Sequence, residues 1–203
     1  MTLFIILITA AVSISAFNNP TLFHKLLFNP YTIERRKEYY RFLSHALLHA
    51  DWFHLILNMF VLYSFGSMVE NYYEYLFGSP KGIFYYIFLY VGGVGFASLP
   101  SFGKHRTNYN YNSVGASGAV SAVLFAAIIL EPNSKVYVFA ILPLKAYLFG
   151  VLYLGLEWYL AQKAADNINH DAHFVGAIFG LVFTIFLKPT LALSFFERVI
   201  NGF

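Results

Sequence analysis

The sequence predicts an all-α membrane protein in which six apolar helices pack as one transmembrane bundle. Hydrophobic residues make up 59% of the 203 residues and aromatic residues 20%, whereas charged residues make up only 11%. A soluble domain normally carries about 25% charged residues. Six apolar stretches each reach the roughly 17 to 25 residues that a helix needs to cross about 30 Å of hydrocarbon. We therefore expect the lipid bilayer to surround most of this chain.

The predicted spans are joined by short polar connections, with one exception. They cover residues 2–18, 52–74, 82–100, 114–130, 136–160 and 171–188. The exception is the long loop 19–51, which carries Arg35, Arg36 and Lys37 together with several tyrosines. Such a mixture is typical of the lipid headgroup layer. We expect a single domain over 1–203, with loop 19–51 at the membrane interface and 189–203 as a C-terminal tail.

Two questions about the first part of the chain have competing answers. The first span resembles a signal peptide because small residues lie at Ser13 to Ala16, but no Lys or Arg precedes its apolar stretch, which favours a retained helix. The basic residues of loop 19–51 would draw that loop to the cytoplasm by the positive-inside rule. The chemistry proposed below places it on the opposite side. The orientation therefore stays open.

Composition excludes several classes of function. The net charge of +3 is too small and too scattered for nucleic-acid binding. The chain has no cysteine, which excludes disulfides, a thiolate nucleophile and cysteine-ligated metals. We expect no cofactor and no bound metal, and the sequence leaves the oligomeric state open.

Four polar residues of three parallel spans are predicted to lie at one depth. The second, fourth and sixth spans run in the same direction, and their C-terminal ends are marked by Glu70, Glu131 and Lys188. At 1.5 Å per residue, these ends lie about 21 Å from Ser117, 22 Å from His173, 24 Å from His54 and 18 Å from Asn58. In a core about 30 Å thick, that layer lies roughly 6 to 12 Å below the opposite surface. Polar groups at such a depth are candidates for function because burying them in hydrocarbon is costly.

A serine and a histidine at one depth can form a nucleophile and its general base. A serine hydroxyl attacks a carbonyl only when an adjacent base accepts its proton, and histidine suits that task near neutral pH. Small residues favour close approach of the two helices: Gly118 follows Ser117, and Gly176 and Gly180 share the face of His173. We expect Ser117 and His173 to lie in contact.

Hydrolysis of a peptide bond also needs donors for the oxyanion of the tetrahedral intermediate. His54 and Asn58 lie one helical turn apart and can donate, as can the backbone N–H of Ser117 near a helix N-terminus. No obvious carboxylate orients His173, because Asp171 is two residues away and points to another side of the helix. The sequence therefore predicts a catalytic dyad without a third acidic member.

Other readings of the same polar residues remain. Interhelical hydrogen bonding explains any one of them alone. Several histidines and aspartates form a possible metal site, although His45-Ala46-Leu47-Leu48-His49 lacks the glutamate of a metalloprotease motif. The candidate ligands are His45, His49, His54, His170, His173, Asp51 and Asp171. A transporter would bind substrate at mid-depth, but the chain shows no inverted repeat.

Taken together, the motifs resemble those of the rhomboid intramembrane serine proteases, in their bacterial six-helix form. Gly115-Ala116-Ser117-Gly118 is similar to the family's nucleophile motif. Ala172-His173 with Gly176 and Gly180 is similar to its histidine helix, and His54-Leu55-Ile56-Leu57-Asn58 to its oxyanion element. The resemblance implies cleavage of transmembrane protein substrates, a fifth span and a Gln162 to His170 loop that gate the site, and residence in the bacterial cytoplasmic membrane. An inactive rhomboid-like binding protein is the alternative.

Two positions depart from the family pattern. Tyr40-Arg41 stands where the family often has Trp-Arg, which keeps an amphipathic ring and the cation. Ser121 stands four residues after the nucleophile, where the family often has an aromatic ring beneath the histidine. Another side chain, or a hydrogen bond from Ser121 itself, must then orient His173.

Overall fold

The computed structural model describes residues 1–138, 141–163 and 168–202, and most of these residues are helical. The α-helices are α1 Thr2–Phe17, α2 Pro20–Leu26, α3 Pro30–Arg36, α4 Arg41–Ser44, α5 Trp52–Phe77, α6 Lys81–His105, α7 Ser117–Leu130, α8 Ala146–Lys163, α9 His170–Leu187 and α10 Thr190–Asn201, with a 3₁₀ turn at His45–Leu47. Each of the six predicted spans overlaps one of the longer helices, although the bounds differ, most of all for α6 and α8. The mostly helical membrane fold is confirmed.

The helices differ in how well they meet the requirements for a membrane span. Among the described residues, α5, α6 and α9 are long and apolar enough to cross a bilayer, whereas α1 and α7 are apolar but shorter. Large apolar side chains point outwards from the bundle; Phe60 of α5 is 65% exposed and Phe186 of α9 is 77% exposed. These exposed rings suit a lipid environment. The count of six spans stays a prediction.

The predicted start of the fifth span, at residue 136, is wrong. Two strands, β1 Lys135–Val138 and β2 Leu142–Lys145, pair antiparallel there, and α8 begins only at Ala146. Pro143, opposite Tyr137 in the register, disfavours a helix because it has no N–H and its ring clashes with the preceding turn. An apolar run of this length does not by itself distinguish a strand from a helix.

The segment 19–51 is folded, not an open loop. Asn19 and Asn29 cap α2 and α3 by accepting hydrogen bonds from the backbone N–H groups of Leu22 and Thr32, and a proline follows each cap. Arg41 is buried and holds the segment together. Its guanidinium donates to the carbonyl oxygens of His24 (2.9 Å) and Leu27 (2.8 Å) and to the Glu38 carboxylate (2.6 Å).

The predicted tail 189–203 is also helical over the described part. Helix α10 packs against α7 and α9, and Arg198 donates to the carbonyl oxygen of Leu130 at 2.8 Å. That carbonyl is one of the last four of α7, which have no partner within their own helix. The end of the chain therefore stabilises the end of the central helix.

Helix α7 lies at the centre of the bundle, in contact with α5, α6, α8, α9 and α10. Every residue from Gly118 to Leu130 is buried. The packing against α9 is close enough to require glycine: a Cβ on Gly176 would overlap the carbonyl oxygen of Gly118, and a Cβ on Gly180 would overlap that of Ala122. This approach brings the first turn of α7 to the first turn of α9.

Candidate active site

Ser117 and His173 lie in direct contact where α7 and α9 begin. The Oγ atom of Ser117 is 2.7 Å from Nε2 of His173. Ser117 is the first residue of α7, and His173 lies in the first turn of α9, so both side chains sit near helix N-termini. Both are partly buried. The distance is that of a short hydrogen bond, and it is the geometry through which an imidazole can accept a hydroxyl proton.

Three donors predicted for the oxyanion come from α5 and the start of α7. The His54 ring packs against Gly115, where a Cβ would lie 2.8 Å from Cε1 and 2.9 Å from Nε2. Gly115 has φ +123°, a conformation that favours glycine. Asn58 is buried and uses one amide N–H to reach the carbonyl oxygen of His54 at 2.9 Å, which leaves its second N–H to donate. The N–H of Ser117, in the first turn of α7, has no carbonyl within its own helix to bind.

The prediction that no carboxylate reaches His173 is wrong. Glu157 of α8 lies with Oε1 3.2 Å from Nδ1 of His173 and with Oε2 2.6 Å from Nδ1 of His170. Asp171 is paired instead with Lys104 of α6, at 2.7 Å. Glu157 lies on the fifth span, which runs antiparallel to the three spans whose polar residues are predicted to share one depth. Glu157 lies six residues before Lys163, about 9 Å along α8, a depth that matches the layer of the other polar residues.

Within the described part of the chain, the Ser121 hydroxyl makes no hydrogen bond to His173. Its hydroxyl lies 2.7 Å from the hydroxyl of Tyr153 on α8. Tyr153 packs against Phe125 of α7, with ring centroids 5.6 Å apart. The small side chain at position 121 thus faces a tyrosine of the neighbouring helix, which is one turn from Glu157. The orientation of His173 comes from α8 and not from Ser121.

The histidines of the first segment are occupied elsewhere. Nδ1 of His45 lies 2.9 Å from the carbonyl oxygen of Arg41, and Nδ1 of His49 lies 3.0 Å from Oγ of Ser13. Burial lowers the pKa of His45 to about 4 and that of His49 to about 3. Asp51 caps α5 by accepting from the backbone N–H of His54 at 2.8 Å. These contacts join segment 19–51 to α1 and α5.

One group of described side chains has the composition and spacing of a metal site. The ligand atoms of Glu157, His170 and His173 all lie within 4.8 Å of one another. Two histidines and one carboxylate are ligands that zinc accepts. In this site, however, Nε2 of His173 is directed at Ser117, and both imidazoles already have the carboxylate as a partner.

Part of the predicted gate lies outside the described residues. Residues 164–167, within the Gln162 to His170 connection, are not described. Helix α8 itself is described to Lys163, and it exposes Val151, Leu152 and Trp158 on its outer face. It packs against α7 and α9. The gating role of α8 stays a prediction.

The fold and the site together define a class: a multi-pass helical membrane protein with a serine and a histidine paired at the junction of two buried helices. Sequence comparison agrees with that class. The Rhomboid domain matches residues 36–190, which is most of the chain. The chain belongs to the rhomboid family.

Curated relatives come from both eukaryotes and bacteria. Rhomboid-like protein 11, chloroplastic, of Arabidopsis thaliana is 34% identical over 162 residues, 71% of this chain and 51% of that protein. The human presenilin-associated rhomboid-like protein, mitochondrial, is 31% identical over 140 residues, 66% of this chain and 34% of that protein. Rhomboid protease GluP of Bacillus subtilis is 29% identical over 165 residues, 81% of this chain and 29% of that protein. The chain thus spans about half or less of the length of these relatives.

The predicted location in the bacterial cytoplasmic membrane is contradicted by these comparisons. Relatives from plants, animals and fission yeast are mitochondrial or chloroplastic proteins. They indicate the membrane of an organelle instead. The composition of the chain could not distinguish the two locations, because bacterial and organellar membranes both require apolar helices long enough to cross a hydrocarbon core of similar thickness.

Proposed function

We propose that this chain is an intramembrane serine endopeptidase, which hydrolyses peptide bonds in or near transmembrane segments of other membrane proteins. The observation that carries the proposal is the 2.7 Å separation between Oγ of Ser117 and Nε2 of His173, at the close junction of α7 and α9. Membership of a family that includes a named protease, GluP, supports it. No cofactor takes part in the proposed reaction.

The proposed reaction proceeds by acyl transfer. Ser117 Oγ attacks the carbonyl carbon of the scissile bond while its proton passes to Nε2 of His173. The carbonyl oxygen becomes an oxyanion, and it receives hydrogen bonds from His54, Asn58 and the N–H of Ser117. When the C–N bond breaks, the leaving amine takes the proton from Nε2. Water then hydrolyses the acyl-enzyme by the same proton transfers, which restores the Ser117 hydroxyl.

The substrate must present an unwound peptide bond to this site. Within a helix the peptide groups are hydrogen-bonded to one another, so the carbonyl is not free for attack. We expect cleavage at helix-destabilising sequence with a small residue at the scissile bond, because the glycine-lined junction of α7 and α9 has little room. The polar stretch near Tyr111 would admit water.

Helix α8 is the proposed lateral gate for the substrate. Phe149 of α8 and Phe65 of α5 pack against the same apolar cluster, which includes Phe125 of α7, so the boundary between the two helices lies over α7. The chain contains no native cysteine, so a cysteine pair introduced across this boundary would be the only one. Oxidation should abolish cleavage, and reduction should restore it. Equal rates in both states would exclude gating by this helix.

The test of the proposed function is cleavage by the purified protein. In detergent micelles with a model transmembrane substrate, wild type should release two fragments, and Ser117→Ala and His173→Ala should release none. Ser64→Ala and His24→Ala are matched controls, because both side chains are exposed and the Ser64 hydroxyl donates to the carbonyl oxygen of Phe60 in its own helix. A fluorophosphonate probe should label wild type and not Ser117→Ala. Cleavage by either site variant at the wild-type rate would refute the dyad.

The alternatives give different results in the same assay. A metal-dependent enzyme built on Glu157, His170 and His173 would lose activity with a chelator and keep it in Ser117→Ala. An inactive rhomboid-like binding protein would retain the substrate without cleaving it and without reacting with the probe. Chelator-resistant cleavage that requires Ser117 distinguishes the proposed enzyme from both.

A further inference from the structure

Glu157 places a carboxylate in the mostly apolar helix α8, and other protein atoms cover most of its side chain. Its side chain is 10% exposed, and within α8 it is the one acidic residue. An unpaired carboxylate at this depth would be expensive. Both of its oxygens are paired, one with His170 at 2.6 Å and one with His173 at 3.2 Å. The carboxylate thus bridges two imidazoles of α9.

The hydrogen-bond roles around His173 follow from this arrangement. An ionised carboxylate can only accept, so Nδ1 of His173 must carry a proton and donate it to Glu157. A neutral imidazole has one protonated nitrogen, so Nε2 is then the acceptor. Nε2 is also the atom that faces the Ser117 hydroxyl, at 2.7 Å. Glu157 therefore selects the tautomer in which His173 can take the serine proton.

Helix α8 is held in register for this contact by a second hydrogen bond. Tyr153 lies one turn before Glu157 and bonds to Ser121 of α7 at 2.7 Å, and its ring packs against Phe125. Residues four apart share a helix face, so the tyrosine and the carboxylate approach α7 and α9 together. The position of α8 and the orientation of His173 are thereby linked.

We propose that Glu157 is the third member of a Ser117–His173–Glu157 triad, a positioning residue that acts through His173 and is supplied by the gate helix. The inference rests on the proposed protease activity and deepens it. The carboxylate keeps its charge throughout, holds Nδ1–H and stabilises the imidazolium that forms when Nε2 takes the serine proton. Movement of α8 away from α9 would withdraw the carboxylate, so the full triad assembles only with the gate closed.

The decisive comparison is between Glu157→Gln, Glu157→Asp and wild type. Glutamine keeps the size but loses the charge, and its amide can donate to Nδ1 and favour the wrong tautomer. We expect kcat to fall by about 10- to 100-fold, less than the roughly 10⁴-fold seen for the aspartate of aqueous serine proteases, because His170 shares the carboxylate. Aspartate keeps the charge at a shorter reach and should retain more activity than glutamine. Glu197→Gln, exposed on α10, is the matched control and should behave as wild type.

The pH profile separates this role from a structural one. Besides Glu157, the titratable groups around His173 are His170 on α9 and His54 on α5, with the Asp171–Lys104 pair further out. All of these remain in Glu157→Gln. Loss of the anion removes the negative charge beside the catalytic base, and it should therefore move the acid limb of kcat/KM to lower pH by about one unit. A change in packing alone would not move that limb.

A measurement that does not depend on turnover completes the test. ¹⁵N NMR of histidine-labelled protein in micelles should find His173 protonated at Nδ1 in wild type, with Nε2–H populated in Glu157→Gln. Unchanged tautomer and unchanged acid limb in that variant would overturn the triad, even if the variant were less stable or slower. If wild type and Ser117→Ala are equally inactive, the proposed protease activity fails, while the NMR comparison still decides whether Glu157 sets the tautomer.

Discussion

Replacing Gly176 by alanine would separate α7 and α9 beside the proposed nucleophile. A Cβ at this position would lie 2.8 Å from the carbonyl carbon of Gly118, whereas ordinary contact begins at 3.4 Å. The helices must therefore separate by at least about 0.6 Å, the difference between those two distances, and the Gly118 carbonyl oxygen demands more. Gly118 follows Ser117, and Gly176 lies one turn after His173. The distance between Oγ of Ser117 and Nε2 of His173, which is 2.7 Å in the structure, would then increase by about 0.6 Å to more than 3.3 Å.

The expected result is a loss of about 10²-fold in kcat, because a misplacement of about 1 Å costs that much in an oriented reaction. The assay is cleavage of a model transmembrane substrate, with thermal unfolding and fluorophosphonate labelling measured on the same preparation. Gly95→Ala is the matched control, since a Cβ there would meet nothing within 4 Å. If folded Gly176→Ala protein turned over at the wild-type rate, the close packing would not be what positions the pair.

Three further predictions concern the oxyanion, the α8 contact and the buried histidines. Asn58→Ala should lower kcat by about 10²- to 10³-fold with little change in KM, because the amide would act only on the transition state. Tyr153→Phe should destabilise the fold by about 1 to 3 kcal/mol by leaving the Ser121 hydroxyl unpaired, and adding Ser121→Ala should recover part of that loss. Burial lowers the pKa of His45 from 6.5 to about 4, so between these values the unfolded chain binds a proton that the folded chain does not. The contribution of neutral His45 to stability should therefore be complete above about pH 6.5 and be lost as the pH falls towards 4.

Each of these predictions has its own check. Thermal unfolding of Asn58→Ala should stay close to wild type, and an unchanged kcat would leave the residue structural. Additive losses in the Ser121 and Tyr153 double-mutant cycle would contradict a direct hydrogen bond. His45→Asn, which cannot titrate, should flatten the decline in stability between pH 6.5 and 4; an unaltered decline would assign it to other groups.

The contact between Ser117 and His173 could be predicted from the sequence because the two residues lie on helices that run in the same direction. Ser117, His173, His54 and Asn58 were predicted at one depth by counting residues from three parallel helix ends, and periodicity requires no knowledge of side-chain packing. Gly176 and Gly180 marked the close approach in the same way, through their spacing on one face. Family membership, the helical fold and the membrane environment followed from motifs and composition.

Two structural features that the sequence did not reveal, the position of Glu157 and the strand pair, depend on contacts between antiparallel elements. Glu157 lies on a helix that runs the other way, so its depth had to be counted from its own C-terminal end. The β1–β2 pair was missed because an apolar segment fits both a strand and a helix, and only Pro143 argued against the helix. The location in an organelle was missed because organellar and bacterial bilayers impose similar constraints on a buried bundle.

The shortness of α7 has a consequence for how the protein responds to membrane thickness. Its 14 residues extend about 21 Å, less than the roughly 30 Å of a hydrocarbon core, and neighbouring helices enclose it. A mismatch between helix length and bilayer thickness affects the outer helices that contact lipid. Helix α7 is enclosed by other helices, so its length need not match the thickness of the bilayer. If the proposed function is correct, thicker or thinner membranes would tilt a substrate helix relative to the proposed nucleophile, whose depth is fixed. Lipid chain length should then shift which peptide bond is cut, by roughly one residue for every 1.5 Å.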